Sequence, residues 1–179
     1  MPPSSATHAA PVRRKATDDP QRLPIKDADD AVWSILKDAG LWDEIGFLMR
    51  LAQLALLDYA APKVKRFGLS IGTVTILRVI RARPGLTQQR IADTLRINKA
   101  NLTPVIQELV ADGFVSRKNS GSNKRAYALF LTAKGRRAFE GADAAIFGEW
   151  CAAPDNLTDE ERQKLVRLLR KIVRGPGTS

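Results

Sequence analysis

Residues Ser70–Thr132 read SIGTVTILRVIRARPGLTQQRIADTLRINKANLTPVIQELVADGFVSRKNSGSNKRAYALFLT, and this stretch decides the fold. Ser70 is a good N-cap for a helix over Ile71–Arg83, whose apolar positions Val74, Ile76, Leu77 and Ile80 face inward. Pro84-Gly85 turns the chain. Thr87 caps a short helix, QQRIADTL, that buries Ile91, Ala92 and Leu95. Arg96-Ile97-Asn98 makes a tight connection to a second helix carrying Leu102, Val105, Ile106, Leu109 and Val110, which Asp112-Gly113 ends. Phe114–Lys118 and Ala126–Thr132 then alternate as strands do, around the polar loop Asn119–Arg125. Helix, short helix, turn, second helix and basic hairpin make a winged helix-turn-helix. In that arrangement the second helix of the pair enters the major groove of DNA.

The charge points the same way. Residues 63–140 hold 16 Lys/Arg against 4 Asp/Glu, residues 1–62 hold 7 against 9, and residues 141–179 hold 6 against 6. The formal net charge of +10 is therefore concentrated in one compact region, which is the electrostatic footprint of a polyanion binder. Other classes find little support. No apolar stretch is long enough to cross a membrane, and the N-terminus lacks the apolar run of a secretory signal. With Cys151 the single cysteine, no intramolecular disulfide can form, and a soluble cytoplasmic chain is expected. His8 stands alone, so neither a metal nor another cofactor is expected. The chain shows no nucleophile–base pair, phosphate-cradling glycine loop or paired carboxylates, so it does not read as an enzyme. Cys151 follows Trp150 near a helix end, where the dipole disfavours a thiolate, and this argues against redox sensing.

The flanks complete the organisation. Residues 1–26, with Pro2, Pro3, Pro11, Pro20 and Pro24, read as a disordered tail, although Arg13-Arg14-Lys15 leave open an arm that reaches phosphates. Residues 27–62 read as N-terminal dimerisation helices. A short helix opens at Asp27, Asp29 and Asp30 and reaches Gly40. A longer one runs from Leu41, carries Ile45, Leu48, Ala52, Leu56 and Tyr59, and is closed by Pro62 and Gly68. Residues 63–132 are the DNA-binding unit, and residues 133–174 are C-terminal dimerisation helices. The first of these spans Ala133 to Trp150. The last opens on the capping box Thr158–Glu161 and bears Leu165, Leu168, Leu169 and Ile172. Apolar faces this broad suggest a helical dimerisation layer; packing of the two ends on each other within one monomer is the alternative.

Four segments together, PGLTQQRIADTL, INKANLTPVIQELVADGFV, NKRAYALFLTAKG and LTDEERQKLVRLLRKI, make the chain similar to the MarR family of bacterial regulators. The resemblance runs from Leu41 to Val173, about three quarters of the chain. It implies a mainly α (α+β) fold in which a winged helix-turn-helix is flanked by intertwined N- and C-terminal helices. It also implies a homodimer on a pseudo-palindromic operator, with a pocket between the two regions and repression relieved by a small ligand. Two residues depart from the family pattern. The wing keeps Arg125 but has Asn123 where an acid is common, and Pro104 interrupts the second helix. That helix either begins near Asn101 with Pro104 in its first turn or starts at Asn98 and bends; the good N-cap at Asn98 favours the second.

On this reading Thr87, Gln88, Gln89 and Arg90 hold phosphate at a helix N-terminus. Asn98 caps the reading helix, where Lys99, Asn101, Thr103 and Gln107 face the groove; Asn and Gln suit adenine, and Lys suits guanine. The wing contacts come from Lys118, Ser120, Ser122, Asn123, Lys124 and Arg125. The resemblance further implies an effector that is an aromatic acid, a phenol or an acyl-CoA thioester. For it, Trp33, Trp42, Phe47, Tyr59 and Trp150 offer aromatic walls, and Arg50 and Arg78 offer charge. Aromatics at helical spacing are usually core, which is the competing reading of each. A non-specific architectural DNA-binding protein and a winged-helix protein-interaction module are the alternative functions. The varied polar face of the reading helix argues against the first, and the charge surplus against the second.

Overall fold

Capping chemistry sets most helix boundaries. The computed structural model describes residues 28–120, 123–150 and 157–174, in two compact units that part between Asp58 and Tyr59. In the first, the Asp29 carboxylate accepts from the Val32 amide at 3.0 Å and opens α1 (Asp30–Asp38). Gly40, with φ of 68°, ends that segment. Leu41–Asp43 form a single 3₁₀ turn, in place of the start expected for the long helix. The carboxylate of Glu44 takes the amides of Gly46 at 2.9 Å and Phe47 at 2.6 Å, so α2 (Ile45–Lys65) begins only after it. At the other end Pro62 lies inside α2 and does not close it. A proline so near a helix end forfeits one i→i−4 bond with little ladder left to break. Buried Ala60 and Val64 on either side hold that turn in place.

The second unit begins at Tyr59. Ser70 and Thr73 cap α3 (Ile71–Ala82) reciprocally: the Ser70 hydroxyl accepts from the Thr73 amide at 3.2 Å, and the Thr73 hydroxyl accepts from the Ser70 amide at 2.7 Å. Val74, Ile76, Leu77 and Ile80 are buried, as their spacing predicts. The helix stops one residue early because Pro84 pushes Arg83 out of the helical region, to φ −139°. Thr87 caps α4 (Gln88–Leu95), and Asn98, accepting from the Ala100 amide at 2.8 Å, caps α5 (Lys99–Ala111). The expected start of α5 is thus observed, with Pro104 inside the helix. Ile91, Leu102, Ile106, Leu77 and Ile80 are wholly buried in one core. Each such side chain contributes about 1.5–3 kcal/mol relative to exposure.

The hairpin pairs β1 (Val115–Ser120) with β2 (Asn123–Leu131) in antiparallel register, Val115 opposite Leu131 and Asn119 opposite Tyr127. The register shifts between Asn119 and Ser120. Both strands run further towards the tip than the sequence pattern suggested. A third segment, which the sequence pattern did not suggest, joins them. The Gly85 amide donates to the Leu129 carbonyl at 2.9 Å, the Leu129 amide donates to the Leu86 carbonyl at 3.0 Å, and Thr87 bridges to Ala128. The turn before α4 is therefore stitched to the inner strand of the wing. From the hairpin the chain enters α6 (Ala133–Trp150), which packs on α3. The Thr132 hydroxyl donates to the Gly113 carbonyl at 2.6 Å and accepts from the Gly135 amide at 2.9 Å. A Cβ at Gly135 would fall on the Phe114 carbonyl, so only glycine lets the first turn of α6 lie there.

The last helix, α7 (Asp159–Arg174), opens on the expected capping box. Glu161 accepts from the Thr158 amide at 2.8 Å and from its hydroxyl at 3.0 Å. These two hydrogen bonds hold the Glu161 carboxyl below its ordinary value of 4.5. Leu165, Val166, Leu168, Ile172 and Val173 are exposed on this helix.

Candidate nucleic-acid interface

The two-helix core is closed by a polar lock. Gln88 Nε2 donates to the Thr103 hydroxyl at 2.5 Å, and that hydroxyl donates to the Lys99 carbonyl at 2.9 Å. Both side chains are half-buried. Two of the expected DNA contacts are therefore first each other's partners, and they fix the second helix against the first. Gln89 donates to Asp93 at 2.9 Å along its own helix. The Thr87 hydroxyl takes the Arg90 amide at 3.4 Å, and Arg90 is exposed in the first turn of α4.

On α5, Lys99, Asn101, Pro104 and Gln107 are exposed, while Leu102, Val105, Ile106 and Leu109 are buried. At 100° per residue the buried four share one side, and Ala100, Pro104 and Gln107 stand opposite them. The outward ridge is thus small apart from Gln107, flanked by Lys99 and Asn101. Such a ridge can approach a groove closely while the carboxamides of Gln107 and Asn101 and the ammonium of Lys99 reach the base edges.

In the wing, Arg117, Lys118 and Asn119 are exposed on β1. The Lys118 ammonium lies 5.1 Å from the Phe130 ring centroid. Ser120, the last residue of β1, pairs with Asn123, the first of β2, and Lys124 and Arg125 follow within β2. Ser122 lies outside the described residues, as does the tail of residues 1–26. Arg117 and Arg96 are exposed cations that the sequence pattern did not single out.

Of the residues proposed for an effector, Trp33 and Trp42 meet edge to face, with centroids 5.3 Å apart and planes at 74°. Phe47 is half-buried and Arg50 exposed, both on α2. The Tyr59 ring carries the Lys63 ammonium 3.9 Å from its centroid. Arg78 forms an ion pair with Asp143, joining α3 to α6, and its guanidinium lies 6.0 Å from the buried Phe139 ring. Its charge is thus already engaged by an acid. No group of metal-ligating side chains occurs among the described residues, and none of their helices is long and apolar enough to cross a membrane.

A capped short helix locked to an exposed second helix, with a basic hairpin stitched beside them, defines a winged helix-turn-helix DNA-binding protein. The MarR family model matches residues 69–127, from just before α3 into β2. The HTH-type transcriptional regulator BilQ of Clostridium symbiosum is 30% identical over 115 residues, covering 64% of this chain and 79% of its own. The chain belongs to the MarR family of DNA-binding transcriptional regulators, which are not enzymes. A putative transcriptional regulatory protein for the hcr operon of Thauera aromatica is 28% identical over 132 residues, covering 73% of this chain and 80% of its own. Among solved structures, the transcriptional repressor CouR bound to a 23-mer DNA duplex matches with a TM-score of 0.71 and 27% identity, over 74% of this chain and 94% of that one. CouR bound to p-coumaroyl-CoA matches with a TM-score of 0.69 and 26% identity, over 75% of this chain and 94% of that one.

Proposed function

We propose that the chain is a sequence-specific repressor that binds a pseudo-palindromic operator as a homodimer. A small aromatic or phenolic acid, or its acyl-CoA thioester, releases it. The observation that carries the DNA-binding part is the exposed surface of α5, with Gln107 opposite the four buried side chains and Lys99 and Asn101 exposed near the start of the helix. Arg90 and the wing cations Lys118, Lys124 and Arg125 supply the phosphate contacts on this reading, and Gln88 and Thr103 orient the reading helix. The helices of residues 27–62 and 133–174 supply the dimerisation layer, because the apolar side chains exposed on α1 and α7 need cover.

The effector class is supported by the relatives: CouR has been solved with p-coumaroyl-CoA, and a homoprotocatechuate degradative operon repressor of Escherichia coli is 24% identical over 131 residues. Trp33, Trp42, Phe47 and Tyr59 are its aromatic contacts on this reading, with Arg50 the first candidate for an anion because Arg78 is paired with Asp143. The test is a thermal-shift screen against aromatic acids, phenols and their CoA thioesters, followed by a DNA-release titration. A ligand that binds the folded protein raises its melting temperature by mass action. The expected result is one chemical class that raises the melting temperature and weakens DNA binding. A hit that leaves DNA affinity unchanged would break the link between binding and release.

A further inference from the structure

Two helices of the helix-turn-helix end in the same way. At the end of α5, the Phe114 amide donates to the Leu109 carbonyl at 2.9 Å and the Gly113 amide to the Val110 carbonyl at 3.0 Å. At the end of α4, the Ile97 amide donates to the Ala92 carbonyl at 3.1 Å and the Arg96 amide to the Asp93 carbonyl at 3.4 Å. Both are Schellman turns, and each needs one residue in the left-handed region. Gly113 fills it in the first, with φ of 73°; Arg96 fills it in the second, with φ of 52°. Among the described residues every other positive φ belongs to glycine, at Gly40, Gly68 and Gly85 as well as Gly113. Where conformation alone decides, this chain uses glycine. At Arg96 it carries a side chain against the steric cost of that conformation.

The Arg96 side chain does not answer to a structural need. It is exposed, and it has no ion-pair partner among the described residues. Asp93, one turn back and the nearest acid on the helix, accepts from Gln89 instead. Arg96 also stands two residues before Asn98, the cap of α5, and three before Lys99. We infer that Arg96 is a DNA-phosphate contact, held in a strained turn so that its guanidinium clamps the backbone beside the entry point of the reading helix. The inference rests on the DNA-binding function proposed above and adds a residue to it. Non-glycine residues held in the left-handed region cluster at binding and catalytic sites.

Four full-length variants separate charge from backbone: Arg96→Gly, Arg96→Asn, Arg96→Lys and, as a control in the wing, Arg125→Ala. Each is titrated against a labelled mixed-sequence duplex over a range of salt, and its melting temperature is measured. Asparagine and glycine accept the left-handed conformation without the charge. Arg96→Gly and Arg96→Asn should lower the slope of log affinity against log salt by about 0.9 for each phosphate no longer neutralised, and affinity near physiological salt by roughly fivefold per phosphate. Arg96→Gly should melt no lower than the wild type, and Arg96→Lys should keep the slope. A wild-type slope in Arg96→Gly, alongside a reduced one in Arg125→Ala, would overturn the assignment alone. A lower melting temperature in Arg96→Gly with unchanged DNA binding would make the residue structural. Failure of the wild-type chain to bind the duplex would overturn the DNA-binding function as well.

Discussion

The helix-turn-helix and the helices that flank it follow the same local rules and reach opposite ends. Helices α3 and α5 each bury four apolar side chains, and all of these belong to one core. Helices α1 and α7 are well capped, yet neither buries a residue, and Ile35, Leu168 and Ile172 stand exposed on them. A cap and an apolar stripe establish that a helix forms and which side wants cover. They do not establish what covers it. In the helix-turn-helix the cover is the same chain; for α1 and α7 we propose a second copy of it.

The sharpest way to break this contrast is a charge on the uncovered side. Leu168→Asp should leave the fold intact, since Leu168 is exposed and is not one of the buried core residues, but convert a dimer to a monomer. Operator affinity should then fall by at least about a hundredfold, because two linked half-sites become one. Sedimentation velocity and a DNA titration check both halves, and a Leu168→Asp chain that remains dimeric would move the interface elsewhere. The matching perturbation of the covered region is Gly135→Ala, which forces a Cβ onto the Phe114 carbonyl. Overpacking against backbone should cost about 2–3 kcal/mol in denaturant unfolding, with the oligomeric state unchanged. A smaller contrast lies within α5 itself. Gln107→Ala should change base preference at one position by about 1–3 kcal/mol, while Gln88→Ala, which removes only the lock on Thr103, should weaken all sequences alike.

The smallest effect is electrostatic. The Glu161 carboxyl is held below 4.5 by Thr158, so its ionised form is favoured in the folded helix. Its contribution is therefore present above that value and lost as pH falls through the folded one. Glu161→Gln should flatten the acid limb of helicity measured by circular dichroism, and leave the neutral region close to wild type. An acid limb unchanged in Glu161→Gln would remove the capping role.

What the sequence makes legible here follows from how local each signal is. Ser70, Thr87, Asn98 and Thr158 each cap a helix through atoms within a few residues, and the inward positions of α3 follow from spacing alone. The family resemblance rests on short segments, each legible by itself, and the family model matches residues 69–127. What escaped depends on distant partners or on a turn's exact dihedral. Leu86-Thr87 is too short to read as a strand and becomes one only because Ala128 and Leu129 arrive beside it. Gln88 and Thr103 look like free polar residues until the two helices meet. Arg96 carries no letter that signals a left-handed turn, and only the backbone dihedral reveals it. Pro62 misleads for the opposite reason: a strong local signal is overridden by the burial of Ala60 and Val64.

The central claim is that a dimer reads specific sequence through α5. Selection of duplexes from a randomised pool by the full-length chain, with salt near the physiological range, tests it most directly. The account predicts enrichment of an inverted repeat whose half-site centres lie about one helical turn apart, bound at least about a thousandfold more tightly than mixed-sequence DNA. A pool that remains random after repeated rounds, with a specificity ratio near one, would contradict it.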